Sequence, residues 1–221
     1  MGYAAPVESD GDAAQMRRLQ AARQLMDAGK PEKAMQTEID PMIKYYEGKY
    51  SQSPRKVYCA RTSAERLAYL LEASSKTNAA VAIGPEWANA CFMKAYVLID
   101  LGRVSEARTN LTRALELSPS NSQYLSELAH LYQVEKKWAE SQKLFVHAEE
   151  CARTFSPDDA RVSELTRALR GQGYNLVEMG KLVEAEAKYR ECLKVDRNDR
   201  KALDELKDLK ARKDSVKSNA H

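Results

Sequence analysis

Three histidines, four cysteines and two close glycines are the residues of this sequence with the most obvious chemical potential. A metal site needs His, Cys or carboxylate ligands at fixed spacing. His130, His147 and His221 make no histidine pair at that spacing, and Cys59, Cys91, Cys151 and Cys192 make no C-x-x-C pair. A phosphate cradle needs a glycine-rich loop, yet Gly171 and Gly173 in "RGQGY" fall inside a helical pattern, where close helix contact explains Gly173 better than a ligand does. Neither the G-x-S-x-G of a serine hydrolase nor the H-E-x-x-H of a zinc protease is present. Cys59, just before a helix, is the thiol best placed to react, while Cys91 and Cys192 read as inert buried thiols. Glu149–Glu150 reads as a surface acid pair without a visible partner. These residues predict no catalytic site, no metal and no cofactor, so the chain is expected not to be an enzyme.

With 221 residues the chain can bury a core as one large domain or one extended repeat array. Aromatics are 7%, Gly and Pro are sparse, and Ala, Leu, Glu, Lys and Arg dominate, a mixture that favours helix. The 35 basic and 32 acidic residues leave a net charge of +3, without the strong basic bias of a dedicated nucleic-acid binder. "AAVAI" at 79–83 is far shorter than the ~18 apolar residues of a membrane span, so neither nucleic-acid binding nor membrane insertion is expected. The start, "MGYAAPVESDGDAAQ", has no basic region followed by an apolar one. It reads either as a cytoplasmic tail or as the start of an exported, periplasmic chain whose signal was trimmed.

The elements that must position any site announce themselves by repetition. Gly173 to Glu191, "GYNLVEMGKLVEAEAKYRE", follows the pattern of Ala95 to Thr112, "AYVLIDLGRVSEARTNLT". Both open on a small residue and an aromatic, reach a Gly seven residues on, and then place a Glu-Ala pair with a large side chain four beyond the Ala. Ser141, 34 residues after Ala107, centres a further copy, "LAHLYQVEKKWAESQKLFVHAEE".

The period and the small–large pattern resemble the tetratricopeptide repeat. Residues 88–121 supply Cys91, Ala95, Leu98, Gly102, Ala107, Leu111, Ala114 and Pro119. Residues 122–155 supply Leu125, Leu128, Ala129, Tyr132, Ser141, Phe145 and Ala148, and residues 166–199 supply Leu169, Gly173, Leu176, Gly180, Ala185, Tyr189 and Cys192. Lys94 and Gln172 depart from the usual Leu, and Arg153 and Arg197 from the closing Pro. Paired helices should cross where both are small, Ala95 on Ala107, Ala129 on Ser141 and Gly173 on Ala185. The extra stretch 156–165, "SPDDARVSEL", predicts a longer helix over about 157–179, with Ser156 as N-cap and Pro157 as first residue. "RKALDELKDLKARK", 200–213, predicts a capping helix with Leu203, Leu206 and Leu209 inward and a solvated charged face.

Residues 12–84 are expected to form a divergent helical region. Ala22, Leu25, Gly29 and Ala34 keep repeat-like offsets, and Pro41 should kink a helix over about 31–49. Thr62 and Glu65 suggest a capping box ahead of Leu67, Leu70 and Leu71, while 51–58 and 77–85 read as connections. Residues 1–11 and 214–221 are expected to be flexible tails. The fold implied is all-α, a right-handed tetratricopeptide superhelix (an α–α solenoid) of about four to five helix pairs with a C-terminal capping helix.

The resemblance implies a protein-interaction scaffold, bacterial in its overall look, that takes a protein or peptide segment in a concave groove. Its inner wall would comprise Asn89, Phe92 and Tyr96, then Gln123, Ser126 and His130, then Arg167, Arg170 and Tyr174, with Ile99, Gln133 and Val177 completing the rows. The Lys and Asn clamp that some relatives use for a peptide carboxylate is missing at the matching positions. An aromatic and amide wall leading to two arginines suits a segment with apolar anchors and an acidic end. The plainer alternative is that Phe92 and Tyr96 cover the Leu67–Leu70–Leu71 helix, and that Arg167 and Arg170 pair with Glu164 and solvent. In a second functional reading, the chain self-associates and stacks end to end, as a weak homo-oligomer. Four free thiols are expected, with no disulfide framework.

Overall fold

A computed structural model describes residues 10–76 and 79–218 of the chain. Most of the expected N-terminal tail (1–9) and residues 219–221, His221 among them, fall outside these residues, whereas 214–218, expected as tail, continue the last helix to Ser218. Two compact units divide the chain, Met1–Pro119 and Ser120–His221. The first holds α1 (Asp10–Asp27), α2 (Pro31–Ala34), a π-helical turn (Met35–Ile39), α3 (Asp40–Tyr50), β1 (Lys56–Cys59), α4 (Ser63–Ser75), β2 (Ala80–Ile83), α5 (Glu86–Asp100) and α6 (Val104–Leu117). The second holds α7 (Ser122–Val134), α8 (Trp138–Phe155), α9 (Asp158–Glu178), α10 (Leu182–Val195) and α11 (Arg200–Ser218). Among the described residues the architecture is an all-α helical repeat with one small strand pair.

A single turn geometry joins the helices of each pair. Gly102 and Gly180 take φ of +71° and +75°, with the next amide reaching back to close the helix: Arg103 N–H to Leu98 O at 2.8 Å, and Lys181 N–H to Leu176 O at 2.8 Å. A left-handed residue there satisfies the last carbonyls of the first helix, and Gly adopts it without a Cβ penalty. Between α7 and α8 the same turn falls on Lys136, at φ 57°, with Lys137 N–H on Tyr132 O. Gly29 repeats it at φ 70° after α1.

The crossings are packed on small residues. Ala95, Ala107, Ala129, Ser141 and Ala185 are fully buried, and the Ser141 hydroxyl donates to Ala129 O at 2.9 Å. At Gly173 the space is filled by a ring: a Cβ there would lie 2.7 Å from Tyr189 Cζ. A Cβ on Gly171 would run into the Phe145 ring. Gly to Ala in a helix normally stabilises, by about 1 kcal/mol. Here the sign should reverse. Gly171→Ala and Gly173→Ala are each expected to lower stability by about 1–3 kcal/mol, because Phe145 and Tyr189 are themselves buried and cannot swing aside. Chemical denaturation of each variant checks this; a stabilised Gly171→Ala would show that Phe145 yields.

Pro41 acts through the turn before it. A helical proline lacks the N–H that residue 37 would receive, and its ring crowds that carbonyl. The chain widens into the π-helical Met35–Ile39 turn, and Thr37 O accepts instead from Arg18 Nη1 of α1 at 3.0 Å. The expected kink is thus a π-turn whose freed carbonyl ties α1 to the following helix.

The two stretches expected as connections contain strands. β1 and β2 pair in parallel, Lys56 opposite Ala80 through Cys59 opposite Ile83, with α4 as the crossover. This small βαβ unit sits between α3 and α5. α4 begins with Thr62 Oγ1 accepting from Glu65 N–H at 3.1 Å, but the buried Glu65 carboxylate accepts from Arg61 N–H at 2.6 Å and from the Arg61 guanidinium at 3.0 Å. The inward face of α4 is also rotated from the expectation. Tyr69 and Ala73 pack with Tyr58, Ala60 and Ala82, whereas Leu67 and Leu71 are each 60% exposed. The strand pair lies under the Tyr69 face, so that face is buried, and of the leucine row Leu70 alone packs against it.

α9 starts at Asp158, and the Ser156 hydroxyl donates to the Glu164 carboxylate instead of capping. α11 lays Ala202 and Leu209, with Leu206 partly buried, against Leu176, Ala185, Tyr189 and Cys192. Leu203 stays 39% exposed, so the inward stripe runs one residue ahead of the expected one at its start.

Candidate functional site

In the second unit, α7 and α9 lie side by side and share a polar seam. Gln133 of α7 donates from Nε2 to Asn175 Oδ1 at 2.8 Å and to Gly171 O at 3.3 Å on α9. Asn175, wholly buried, donates from Nδ2 to Ser141 Oγ of α8 at 2.9 Å. Ser141 passes the chain on to Ala129 O. Every donor in this run points the same way, so Gln133 Oε1 is left as an acceptor. His130 Nδ1 lies 3.2 Å from it and therefore carries the proton. The seam fixes the rotamers of Gln133 and His130, which sequence periodicity places on the inner surface.

Beside this seam stands an aromatic pair. Tyr174 of α9 is 41% exposed, and its ring meets Trp138 of α8 edge-on at 6.0 Å between centroids. Gln123 and His130 are exposed on α7. The other expected wall residues are committed. Ser126 is fully buried, so its hydroxyl faces no ligand. Arg167 pairs with Glu127, not with Glu164, though 41% of its side chain remains exposed. Arg170 pairs with Asp199, whose side chain is only 6% exposed.

Asp199 is a junction. Its Oδ1 accepts from Ala202 N–H at 2.9 Å, capping α11, and its Oδ2 lies 3.4 Å from Cys192 Sγ. Burial, then the Asp199 charge, pushes the Cys192 thiol up to about 12, so it stays a neutral donor to the carboxylate. Arg170 therefore fastens α9 to the turn between α10 and α11. In sequence this signal was present as Asp199 three residues before Ala202, an N-cap offset.

On the opposite side of α9, Glu149 is far from partnerless. Burial alone would raise its carboxyl, but hydrogen bonds from Lys188 (2.8 Å), Gln172 (2.7 Å) and Arg153 (2.8 Å) outweigh this and hold it below the ordinary carboxylate range.

In the first unit, Asn89 and Phe92 are half-buried on α5 and Tyr96 is 47% exposed. Lys94, at a position expected to be apolar, pairs with Asp40 of α3 at 2.7 Å. The four cysteines are free and buried. Burial pushes Cys59 up strongly and Cys91 up to about 12, which leaves both as thiols and removes Cys59 as a nucleophile. Among the described residues no cluster of three His, Cys, Asp or Glu could hold a metal ion, and no helix is long and apolar enough to cross a membrane.

Residues 88–121 match the family model of the tetratricopeptide repeat. Among curated proteins none matches the chain in sequence. Among solved structures the chain is similar to PilF of Pseudomonas aeruginosa, at 15% identity and a TM-score of 0.63 over 94% of this chain and 72% of that one. The first TPR domain of human RPAP3 is similar at 23% identity and a TM-score of 0.51, over 62% and 100% of the two chains. The first TPR of Spaghetti (RPAP3), solved with the HSP90 peptide SRMEEVD, is similar at 22% identity and a TM-score of 0.50, over 59% and 95%. The chain thus carries a tetratricopeptide repeat at 88–121 and folds as tetratricopeptide repeat proteins do.

Proposed function

We propose that the protein is a non-enzymatic interaction scaffold that holds a protein or peptide segment on the inner faces of its first-position helices. Within the Ser120–His221 unit the contacts are Gln123, His130, Arg167 and Tyr174 on α7 and α9; the Met1–Pro119 unit by itself offers Asn89, Phe92 and Tyr96 on α5. The observation that carries this reading is Tyr174, an aromatic 41% exposed yet braced by Trp138 beside a hydrogen-bonded seam. Rigid, half-exposed aromatics bind at little entropic cost. The peptide seated on the Spaghetti domain supports a peptide as the class of ligand. With Arg170 held by Asp199, the preferred segment is apolar and hydrogen-bonding in character, and an acidic end is served at most by Arg167.

The test is a photo-crosslinking residue placed at Tyr96, at Tyr174 and, as a control, at Val183 of α10, which is 76% exposed. Partner adducts should arise at the two tyrosine positions and not at the control. With the captured partner, Tyr174→Ala should weaken binding by ~1–3 kcal/mol and leave the melting curve nearly unchanged. Adducts from Val183 alone, or a melting loss of core size in Tyr174→Ala, would move the site elsewhere.

A further inference from the structure

The polar seam of α7, α8 and α9 has a direction, and two backbone carbonyls set it. A carbonyl oxygen can only accept. The end of the Gln133 amide that meets Gly171 O at 3.3 Å is therefore its nitrogen, and the Ser141 hydroxyl must spend its proton on Ala129 O at 2.9 Å. Asn175 lies between these fixed ends. It gives a proton to Ser141 Oγ at 2.9 Å and receives one from Gln133 Nε2 at 2.8 Å. Both protons of the Gln133 nitrogen are then used, and Oε1 is the atom left for His130 Nδ1, 3.2 Å away. Asn175 and Ser141 are wholly buried, so neither the Gln133 nor the Asn175 amide can turn over without stranding a buried polar group. In the neutral imidazole the proton sits on Nδ1, and Nε2 keeps a bare lone pair. This reverses the Nε2–H form that a free histidine side chain prefers. His130 is exposed, and its Nε2 has no bonded partner among the described residues.

We propose that this inner surface selects a hydrogen-bond donor in the segment it holds, read by His130 Nε2, and that Gln133 is the positioning residue that makes His130 an acceptor. The proposal rests on the reading that a protein segment lies along the inner faces of α7 and α9. The chemistry taken at this point is an N–H or O–H: a backbone amide, a side-chain amide, a hydroxyl or an ammonium. A carbonyl or carboxylate meets a lone pair there and is turned away. Neighbouring acceptors are already spent. The Gln133 and Asn175 oxygens are bonded inside the seam, and the Glu127 carboxylate, one turn earlier on α7, is held by Arg167 of α9. Tyr174 lies one turn beyond Gly171 on α9, and Gly171 is where Gln133 bonds. The donor is therefore expected within about one side chain of the apolar group that rests on Tyr174.

Nitrogen NMR of the histidine rings in the full chain tests this, read at about pH 9, where imidazoles are neutral. His130→Phe identifies the His130 signals by their loss. His130 should show a protonated Nδ1 and a bare Nε2. His147, exposed and without a bonded partner among the described residues, should show the Nε2–H form. Gln133→Met removes the acceptor and should return His130 to the Nε2–H form. Gln133→Glu loses the same bonds to Gly171 and Asn175 but keeps an oxygen for Nδ1, and should retain the Nδ1–H form. A purely structural role for Gln133 would move both variants alike. The ligand probe is the segment captured by crosslinking at Tyr174. Its binding should move the His130 Nε2 resonance, and Gln133→Met and His130→Phe should each weaken it roughly tenfold. An Nε2–H ring in the unsubstituted chain, or one form shared by both Gln133 variants, overturns the proposal. So does binding that leaves the Nε2 resonance unmoved. A correct Nδ1–H ring in a chain that captures nothing at Tyr174 would put the fault in the groove itself, and the selected donor falls with it.

Discussion

Removal of residues 199–221 is expected to cost the Ser120–His221 unit most of its stability. α11 buries Ala202 and Leu209 and half-buries Leu206 against Leu176, Tyr189 and Cys192. A buried leucine contributes roughly 1.5–3 kcal/mol. Asp199 leaves with the helix, and Arg170 then loses its counter-ion. Together these losses are on the order of 4–7 kcal/mol before the entropy of ordering the helix offsets part of them. A domain has only ~5–15 kcal/mol in all. We propose that α11 is the cap of this helix array, the element that gives the last repeat a polar outer face. Truncation should expose Tyr189 and Cys192 and produce aggregation or a large fall in melting temperature. An unchanged melting curve would leave α11 as an appendage.

The repeats were legible because their signals are local and periodic. A small residue at each crossing and a Gly seven residues after the first one specify helix, turn and helix with no knowledge of the neighbours. Lys136 shows the limit of that code: the turn forms there without its glycine, because the flanking helices dictate it. The βαβ unit was illegible for a different reason. Strands of four residues with a mixed burial pattern show no clear alternation, and the alanine-rich "AAVAI" looks like a linker until β1 is beside it. The leucine row of α4 misled for the same cause, since hydrophobicity marks a buried face only when something lies under it. Among the wall residues, periodicity placed side chains on a surface but could not reveal what they were bonded to. Arg167 and Arg170 are spoken for by Glu127 and by Asp199, 40 residues before the one and 29 after the other. Such pairings depend on how helices tilt against one another, which a single helix pattern does not encode.

Arg170→Ala separates the two roles an inner-surface arginine can have, and a loss of stability is the expected result. The side chain is 23% exposed and its partner Asp199 is 6% exposed, so deleting the guanidinium leaves a carboxylate buried with only a thiol and the Ala202 amide for company. Removing one partner of a well-buried pair costs ~3–5 kcal/mol. The partial exposure of Arg170 reduces this to about 2–4 kcal/mol, a drop of roughly 5–10 °C in melting temperature. Asp199→Asn should cost less, about 1 kcal/mol, because Asn still caps α11 and the arginine left behind can turn toward water. The double variant Arg170→Ala with Asp199→Asn should recover much of the loss of Arg170→Ala alone, since no buried charge remains unpaired. That recovery is a coupling of 1 kcal/mol or more in a double-mutant cycle, well above the ~0.3–0.5 kcal/mol scatter of independent sites. Melting each of the four proteins measures it. Additive losses would mean that Asp199 is solvated in the folded chain. A melting curve unmoved by Arg170→Ala, together with weakened partner binding, would return the arginine to the ligand and leave the α10–α11 turn held by Asp199 alone.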